Sequence, residues 1–132
     1  MLRMKQSVYG EMMAHLQAVY PLEGCGLVGG LPGEATRCLP VANVLRSPTA
    51  YEMEPTAQIE AMILLEDAGL EITGIFHSHP AGPERPSPTD MAQAYYPDAA
   101  YIIVSLADRT QPVTRAFRLG NGRTTEISLL IE

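Results

Sequence analysis

Basic residues are scarce in this chain. Its 132 residues include 9 lysines and arginines against 15 aspartates and glutamates, which gives a formal net charge of −6 at pH 7. Nucleic acids and anionic membrane surfaces attract positively charged proteins. The charge balance therefore argues against nucleic acid or a membrane as the main partner.

Long apolar runs are also absent. No segment approaches the ~20 consecutive apolar residues that a membrane-spanning helix needs, and the first residues lack the apolar core of a secretory signal peptide. We therefore expect a cytoplasmic protein with no membrane-spanning segment.

Only two cysteines occur, Cys25 and Cys38, on either side of a predicted turn at residues 31–34. If Gly30 pairs with Ala35 in a hairpin, the two cysteines miss direct opposition by two positions, so a cross-strand disulfide is disfavoured. Free thiols agree with a reducing cytoplasm. A zinc-binding role for Cys25 stays open, although its apolar neighbours favour a packed strand position.

The remaining composition is that of one globular domain. Hydrophobic residues make up 46% of the chain, and no linker divides it. A chain of this length buries a sizeable core. Helical and strand periodicities alternate along it, and this order predicts an α/β fold in which a mixed β-sheet packs between helices. We expect a single domain over residues 1–132.

Three helices and a series of strands are predicted. Apolar spacing and capping residues indicate helices at residues 7–19, with Ser7 as the N-cap, at residues 55–69 and at residues 87–94. Strands are expected at residues 2–5, 25–30, 35–41, 51–53, 71–79, 101–106, 113–119 and 124–130. Two pairs of these strands, 25–30 with 35–41 and 113–119 with 124–130, are predicted to form hairpins.

The strand that ends in His77-Ser78-His79 gives the strongest indication of function. Side chains alternate along a strand, so His77 and His79 project from one face and Ser78 from the other. Two convergent imidazoles suit a divalent ion such as Zn²⁺. The pair stands out in a chain with 3 histidines altogether.

A third ligand is indicated by the sequence from Ser87 to Asp90, which has the pattern of a helix start. Serine suits the N-cap, proline the first helical position, and an acid the first turn. Capping alone explains Ser87 and Asp90, because such starts are common. It does not explain the two histidines, and a set of two histidines and one carboxylate leaves an open position, as catalytic zinc sites do.

Together these residues resemble the signature of the JAMM (MPN+) metalloproteases. In this chain His-Ser-His-Pro occupies residues 77–80, seven residues separate His79 from Ser87, and two separate Ser87 from Asp90. The family pattern adds an upstream glutamate. Here Glu23 lies in Pro-Leu-Glu-Gly-Cys-Gly-Leu at residues 21–27, which resembles the same stretch of the family's small bacterial members.

The resemblance implies an MPN/JAMM-like α-β-α fold, one Zn²⁺ per chain held by His77, His79 and Asp90, and Glu23 as general base. Catalytic zinc lowers the pKa of water to about 7. A carboxylate beside that water accepts its proton and passes it to the leaving amine. Ser87 is the candidate donor to the developing oxyanion. The alternative for Glu23 is a solvated loop acid, which most glutamates are.

The resemblance also implies a substrate. It points to a peptide or isopeptide bond at the C-terminus of a ubiquitin-like protein, and small bacterial members are associated with sulfur carriers that end in Gly-Gly. A non-catalytic MPN-type scaffold is one alternative, which the filled motif positions argue against. A zinc amidohydrolase for small amides or peptides is another, which the sequence does not separate from the first. The oligomeric state, including a homo-oligomer, and a substrate contact by Arg85 stay open.

Overall fold

A mixed six-stranded sheet forms the centre of the computed structural model, which describes residues 1–132. The strands are β1 (Leu2–Met4), β2 (Cys25–Gly30), β3 (Glu34–Ala35), β4 (Arg37–Val41), β5 (Glu71–His79), β6 (Ala100–Ser105), β7 (Val113–Gly120), β8 (Arg123–Ile127) and β9 (Leu129–Ile131). The helices are α1 (Gln6–Val19), α2 (Pro55–Asp67) and α3 (Pro88–Ala92). None of these helices has the length and apolar character required to cross a membrane.

The strand order in the main sheet is β4-β2-β5-β6-β7-β8. Strands β5 and β6 run parallel and the other neighbours are antiparallel. Strand β5 therefore lies inside the sheet, hydrogen-bonded on both edges. This position makes it a rigid support for the residues at its carboxyl end.

The two faces of the sheet carry separate cores. One core joins α1 residues such as Met12 and Leu16 to strand residues such as Phe76 and Ile102. The other core includes Ala61 of α2 together with strand residues that point to the opposite face of the sheet, such as Ile75 and Ile103. The prediction of a mixed sheet between helices is therefore confirmed.

A second, three-stranded sheet covers part of the α1 face. Its order is β3-β1-β9, and both pairings are parallel. The expected closing hairpin is correct for β7 and β8, but the expected strand over residues 124–130 is wrong in its last part. The chain leaves the main sheet after Ile127, and β9 pairs with β1 so that Leu129 lies beside Leu2.

The start of α1 also differs from the prediction. The helix begins at Gln6, its N-cap is Lys5, and no side chain caps it, so Ser7 is not the N-cap. The backbone amide of Lys5 donates to the carbonyl of Ala35, while the Lys5 carbonyl accepts from the amides of Val8 and Tyr9. Pairing of the adjoining strand thus fixes where the helix begins.

The two cysteines are free, as expected. The hairpin register differs by one residue from the prediction, because Cys38 lies opposite Val28 and Cys25 opposite Val41. The short strand expected at residues 51–53 is only a single bridge between Met53 and Asn43. The thiol of Cys25 donates to the carbonyl of Val41 at 3.3 Å, which supports a packed strand position.

Candidate metal centre

His77 and His79 project from the same face of β5, as strand alternation predicts. Both are buried, and their Nε2 atoms lie 3.1 Å apart. Ser78, between them, points to the opposite face, where its hydroxyl accepts a hydrogen bond from the amide of Gly24 at 2.9 Å. The strand therefore presents two imidazoles to a single point.

Asp90 reaches this point from α3. Ser87 and Asp90 form the predicted capping box: Ser87 Oγ accepts from the Asp90 amide at 3.0 Å, and Asp90 Oδ2 accepts from the Ser87 amide at 2.8 Å. The same Oδ2 lies 3.2 Å from His77 Nε2 and 3.1 Å from His79 Nε2. One carboxylate oxygen of Asp90 thus caps the helix and contacts both histidines.

The three atoms form a triangle with sides of 3.1 to 3.2 Å. Ligand atoms about 2.0–2.1 Å from a tetrahedral zinc ion are separated by about 3.3–3.4 Å, so the triangle has nearly the size of one face of such a site. His79 Nδ1 lies 2.7 Å from the carbonyl of Pro83. In the tautomer that donates from Nδ1 to this carbonyl, the Nε2 lone pair is available to a metal ion, as metal-binding histidines require. The donor set therefore fits zinc.

Glu23 lies beside the histidines in the short segment between α1 and β2. It is only 4% exposed, and a carboxylate oxygen of Glu23 and one ring nitrogen from each histidine all lie within 4.8 Å of one another. A solvated loop acid would not be buried in this way. All five candidate residues, Glu23, His77, His79, Ser87 and Asp90, converge on one region.

The electrostatics of the two carboxylates differ. Burial raises the pKa of Glu23 to about 7; the charge of Asp90 adds to this shift and His79 opposes it. Burial also disfavours ionisation of Asp90, but the hydrogen bonds from His77 and His79 outweigh it and hold the pKa of Asp90 below its usual range. One carboxylate is therefore kept ionised, and the other exchanges a proton near neutral pH.

The imidazoles differ as well. Burial lowers the pKa of His77, and its hydrogen bond with Asp90 only partly offsets this effect. Burial also acts to lower the pKa of His79, but its contacts with Asp90 and the Pro83 carbonyl prevail and raise it. His77, the fully buried ring, thus favours the neutral form that binds metal.

One cavity opens on the centre, and a second lies on the far side of Tyr51. A small one of about 130 Å³ lies beside His79 and is lined by Glu23 and Ser87, among others. A larger one of about 410 Å³ has four tyrosines in its wall, Tyr51, Tyr95, Tyr96 and Tyr101. The ring of Tyr51 stacks on that of His77, with centroids 4.6 Å apart. The centre is therefore open to a ligand through the small cavity, and Tyr51 separates it from the larger one.

Three residues that contribute to the centre were not found from the sequence. Tyr51 covers His77, Ser78 holds Gly24, and Asn43 contacts the backbone of Glu23 at 3.0 Å. Strand alternation signals that Ser78 faces away from the histidines, but no local pattern marks Tyr51 or Asn43. Arg85 is exposed, and its contact with a substrate stays a prediction.

Residues 5–120 match the family model described as prokaryotic homologs of the JAB domain. The chain belongs to this family. The match covers α1, the main sheet as far as β7, and every candidate site residue. The resemblance to the JAMM family is thereby confirmed.

Two curated relatives of this JAB-family chain are similar over most of its length. The CysO-cysteine peptidase of Mycobacterium tuberculosis is 37% identical over 117 residues, which cover 87% of this chain and 80% of the relative. The probable TtuB-protein conjugate cleaving protease of Thermus thermophilus is 41% identical over 122 residues, 92% of this chain and 76% of the relative. Both are named for peptide-bond or conjugate cleavage, in agreement with the expected JAMM-type hydrolase.

A solved structure supports the fold of this family member. Protein DSY2949 from Desulfitobacterium hafniense superposes with a TM-score of 0.91 at 33% sequence identity, over 100% of this chain and 93% of that chain. The whole arrangement of sheets and helices is therefore shared.

Proposed function

We propose that the chain is a zinc-dependent hydrolase that cleaves a peptide or isopeptide bond at the C-terminus of a ubiquitin-like sulfur-carrier protein. The observation that carries this proposal is the convergence of His77 Nε2, His79 Nε2 and Asp90 Oδ2, with the buried Glu23 beside them. Two histidines and a carboxylate are typical of a catalytic zinc site with a position left for water or substrate. One zinc ion per chain satisfies this donor set.

Each residue has a defined task in this proposal. Zinc, when bound, lowers the pKa of water to about 7 and so supplies a nucleophile at neutral pH. Glu23 accepts a proton at its carboxylate and delivers it to the leaving amine, a role that suits an acid with a pKa of about 7. Ser87 Oγ accepts from the amide of Asp90, which leaves its O–H free to donate to the oxygen of the attacked carbonyl.

The substrate class is supported by the relatives and by the small cavity. The names of the two relatives refer to cleavage of CysO-cysteine and of TtuB-protein conjugates. A ubiquitin-like carrier that ends in Gly-Gly offers a slim tail without bulky side chains next to the scissile bond. The small cavity lined by Glu23, His79 and Ser87 gives such a tail a route to the proposed metal position.

The organisation and location of the protein are also proposals. We propose that residues 1–132 act as one domain, since both cores lie on the same central sheet. The two free thiols favour the cytoplasm.

The test is to incubate the zinc-loaded protein with carriers that end in Gly-Gly and bear either a C-terminal amino acid or a conjugated protein. Mass spectrometry of the products should show the free Gly-Gly carrier. The matched control is Glu23→Gln, which keeps the size and polarity of the side chain but removes the base. We expect this variant to keep zinc and fold and to lose about 10²–10⁴-fold in turnover.

The outcomes separate the alternatives. Cleavage of small amides or peptides, with every carrier left intact, would indicate a zinc amidohydrolase instead. No cleavage of any substrate by the zinc-loaded chain would favour a non-catalytic scaffold. Turnover by Glu23→Gln near that of the wild type would refute the role of Glu23, and loss of zinc from this variant would make Glu23 a ligand.

A further inference from the structure

We propose that Asn43 is a positioning residue that fixes the general base Glu23 by holding its backbone. The inference rests on the proposed function, since it assigns a role relative to Glu23 in that reaction. The side chain of Asn43 makes no hydrogen bond to the candidate metal ligands. It acts through the segment that carries Glu23.

The side chain of Asn43 makes four hydrogen bonds. Its Nδ2 donates to the carbonyl of Glu23 at 3.0 Å and to the carbonyl of Ala50 at 3.0 Å. Its Oδ1 accepts from the amides of Leu45 at 3.0 Å and Glu52 at 3.1 Å. Both donor hydrogens and both acceptor lone pairs of the amide are thus used. Such saturation fixes the orientation of the side chain and ties three parts of the chain together.

Glu23 depends on these contacts because it lies outside regular secondary structure. Its amide donates to the carbonyl of Ser47 at 2.8 Å, and its carbonyl accepts from Asn43. The loop at residues 43–52 therefore holds both polar groups of the Glu23 backbone. On the other side, Gly24 is joined to Ser78 by two hydrogen bonds of 2.9 and 3.0 Å. The base is clamped between this loop and the strand that carries the histidines.

The same loop forms part of the wall of the larger cavity through Leu45, Tyr51 and Glu52. Asn43 therefore links the cavity wall to the base. A base displaced by about 1 Å from its reacting proton loses about 10²-fold in rate. Removal of the Asn43 link is accordingly expected to affect turnover more than binding.

The test is Asn43→Asp, which keeps an acceptor for the amides of Leu45 and Glu52 but replaces the donor to Glu23 by an oxygen. We expect kcat to fall about 10–100-fold, with KM nearly unchanged and zinc content equal to that of the wild type. Asn43→Ser adds no charge, and its hydroxyl is too close to the backbone to reach the carbonyl of Glu23, so it should show the same loss. This second variant tests the same hydrogen bond if Asn43→Asp does not fold.

The matched control is Val44→Ala, next to Asn43 in the same loop. It shortens a side chain that is 44% exposed and leaves the bond from the Val44 amide to the carbonyl of Glu52 in place. We expect kcat for this variant to stay close to that of the wild type. An equal loss in Val44→Ala and Asn43→Asp would show general loop damage and overturn the proposal.

A second readout does not depend on activity. Amide hydrogen exchange in metal-free protein should become faster at Glu23 and Gly24 in Asn43→Asp, while the interior of β5 keeps its protection. In a Glu23→Gln background, Asn43→Asp should cause little further loss of residual turnover, because its effect passes through Glu23.

Normal kcat and unchanged exchange at Glu23 in a folded Asn43 variant would overturn the inference while the proposed function stands. An inactive wild type would instead refute the proposed function, and this inference with it. The two failures are therefore distinguishable.

Discussion

Ser87 caps α3 and is also the proposed donor to the oxyanion, and a single substitution separates these two roles. Its oxygen caps α3 by accepting from the amide of Asp90, and Ser87 also lines the small cavity beside His79. Ser87→Ala should cost about 1 kcal/mol of stability through the lost cap. If Ser87 also donates to the oxyanion, kcat should fall about 10²–10³-fold with zinc retained. Thermal unfolding, metal analysis and steady-state kinetics on one preparation measure the stability, the zinc content and kcat. A less stable variant with normal turnover would show that Ser87 is only a helix cap.

Burial of Glu23 makes the stability of the metal-free protein depend on pH. The pKa of Glu23 rises from 4.5 to about 7 on folding, so between these values the folded state binds a proton that the unfolded state has released. The contribution of Glu23 to stability is thus complete below pH 4.5 and is lost as the pH rises to about 7.

Glu23→Gln removes this dependence. In metal-free protein the variant should gain stability over the wild type as the pH rises from about 5 to about 8, by up to about 3 kcal/mol, since one pKa unit corresponds to about 1.4 kcal/mol. Denaturant unfolding of both proteins at several pH values measures the difference. A difference that does not change with pH would contradict the burial of this carboxylate.

At the scale of secondary-structure elements, α1 packs closely on the segment that carries Glu23. A Cβ atom on Gly24 would lie 2.7 Å from Leu16 Cδ2 and 2.8 Å from Val19 Cγ2, too close unless these buried side chains, the helix or the segment move. Gly24→Ala should therefore destabilise the fold by about 1–3 kcal/mol and lower kcat by displacing Glu23. Urea unfolding and kinetics test both effects.

Gly10→Ala is the control on the same helix. Nothing lies within 4 Å of its added Cβ, so alanine should stabilise α1 by about 0.5–1 kcal/mol and leave turnover unchanged. If Gly24→Ala left stability and kcat as intact as Gly10→Ala does, close packing of α1 against the segment that carries Glu23 would be refuted.

The elements that the sequence predicted correctly are those with local signals. The capping box of α3 and the alternation of His77 and His79 each depend on a few adjacent residues. Long-range pairing was not readable in this way. The second sheet joins strands of two or three residues from distant parts of the chain. In this sheet the partner of Ala35 is Met4, whereas the sequence predicted Gly30 as its partner. That pairing also explains the one-residue error in the hairpin register and the misplaced start of α1.

At the scale of the whole molecule, we expect the fold not to depend on the metal. Two apolar cores flank the sheet, so we expect the metal-free protein and His77→Ala to keep the circular dichroism spectrum of the zinc-loaded wild type. The wild type should bind one zinc ion per chain, and zinc should raise its melting temperature by mass action. His77→Ala and His79→Ala should lose the ion.

His15→Ala is the control for histidine loss, because His15 packs edge-on against Phe76 away from the centre. Metal analysis should find full zinc occupancy in this variant. Full occupancy in His77→Ala as well would refute the proposed ligand set.

The alternation of His77, Ser78 and His79 between the two sheet faces has a consequence for how this chain can evolve. The proposed metal ligands of β5 lie on one face, and the side chain that anchors the neighbouring segment lies on the other. Substitutions at the histidines would abolish catalysis and still leave the anchor and both cores in place. A descendant that lost its activity would therefore inherit a folded scaffold, free to acquire a new use by drift at its surface.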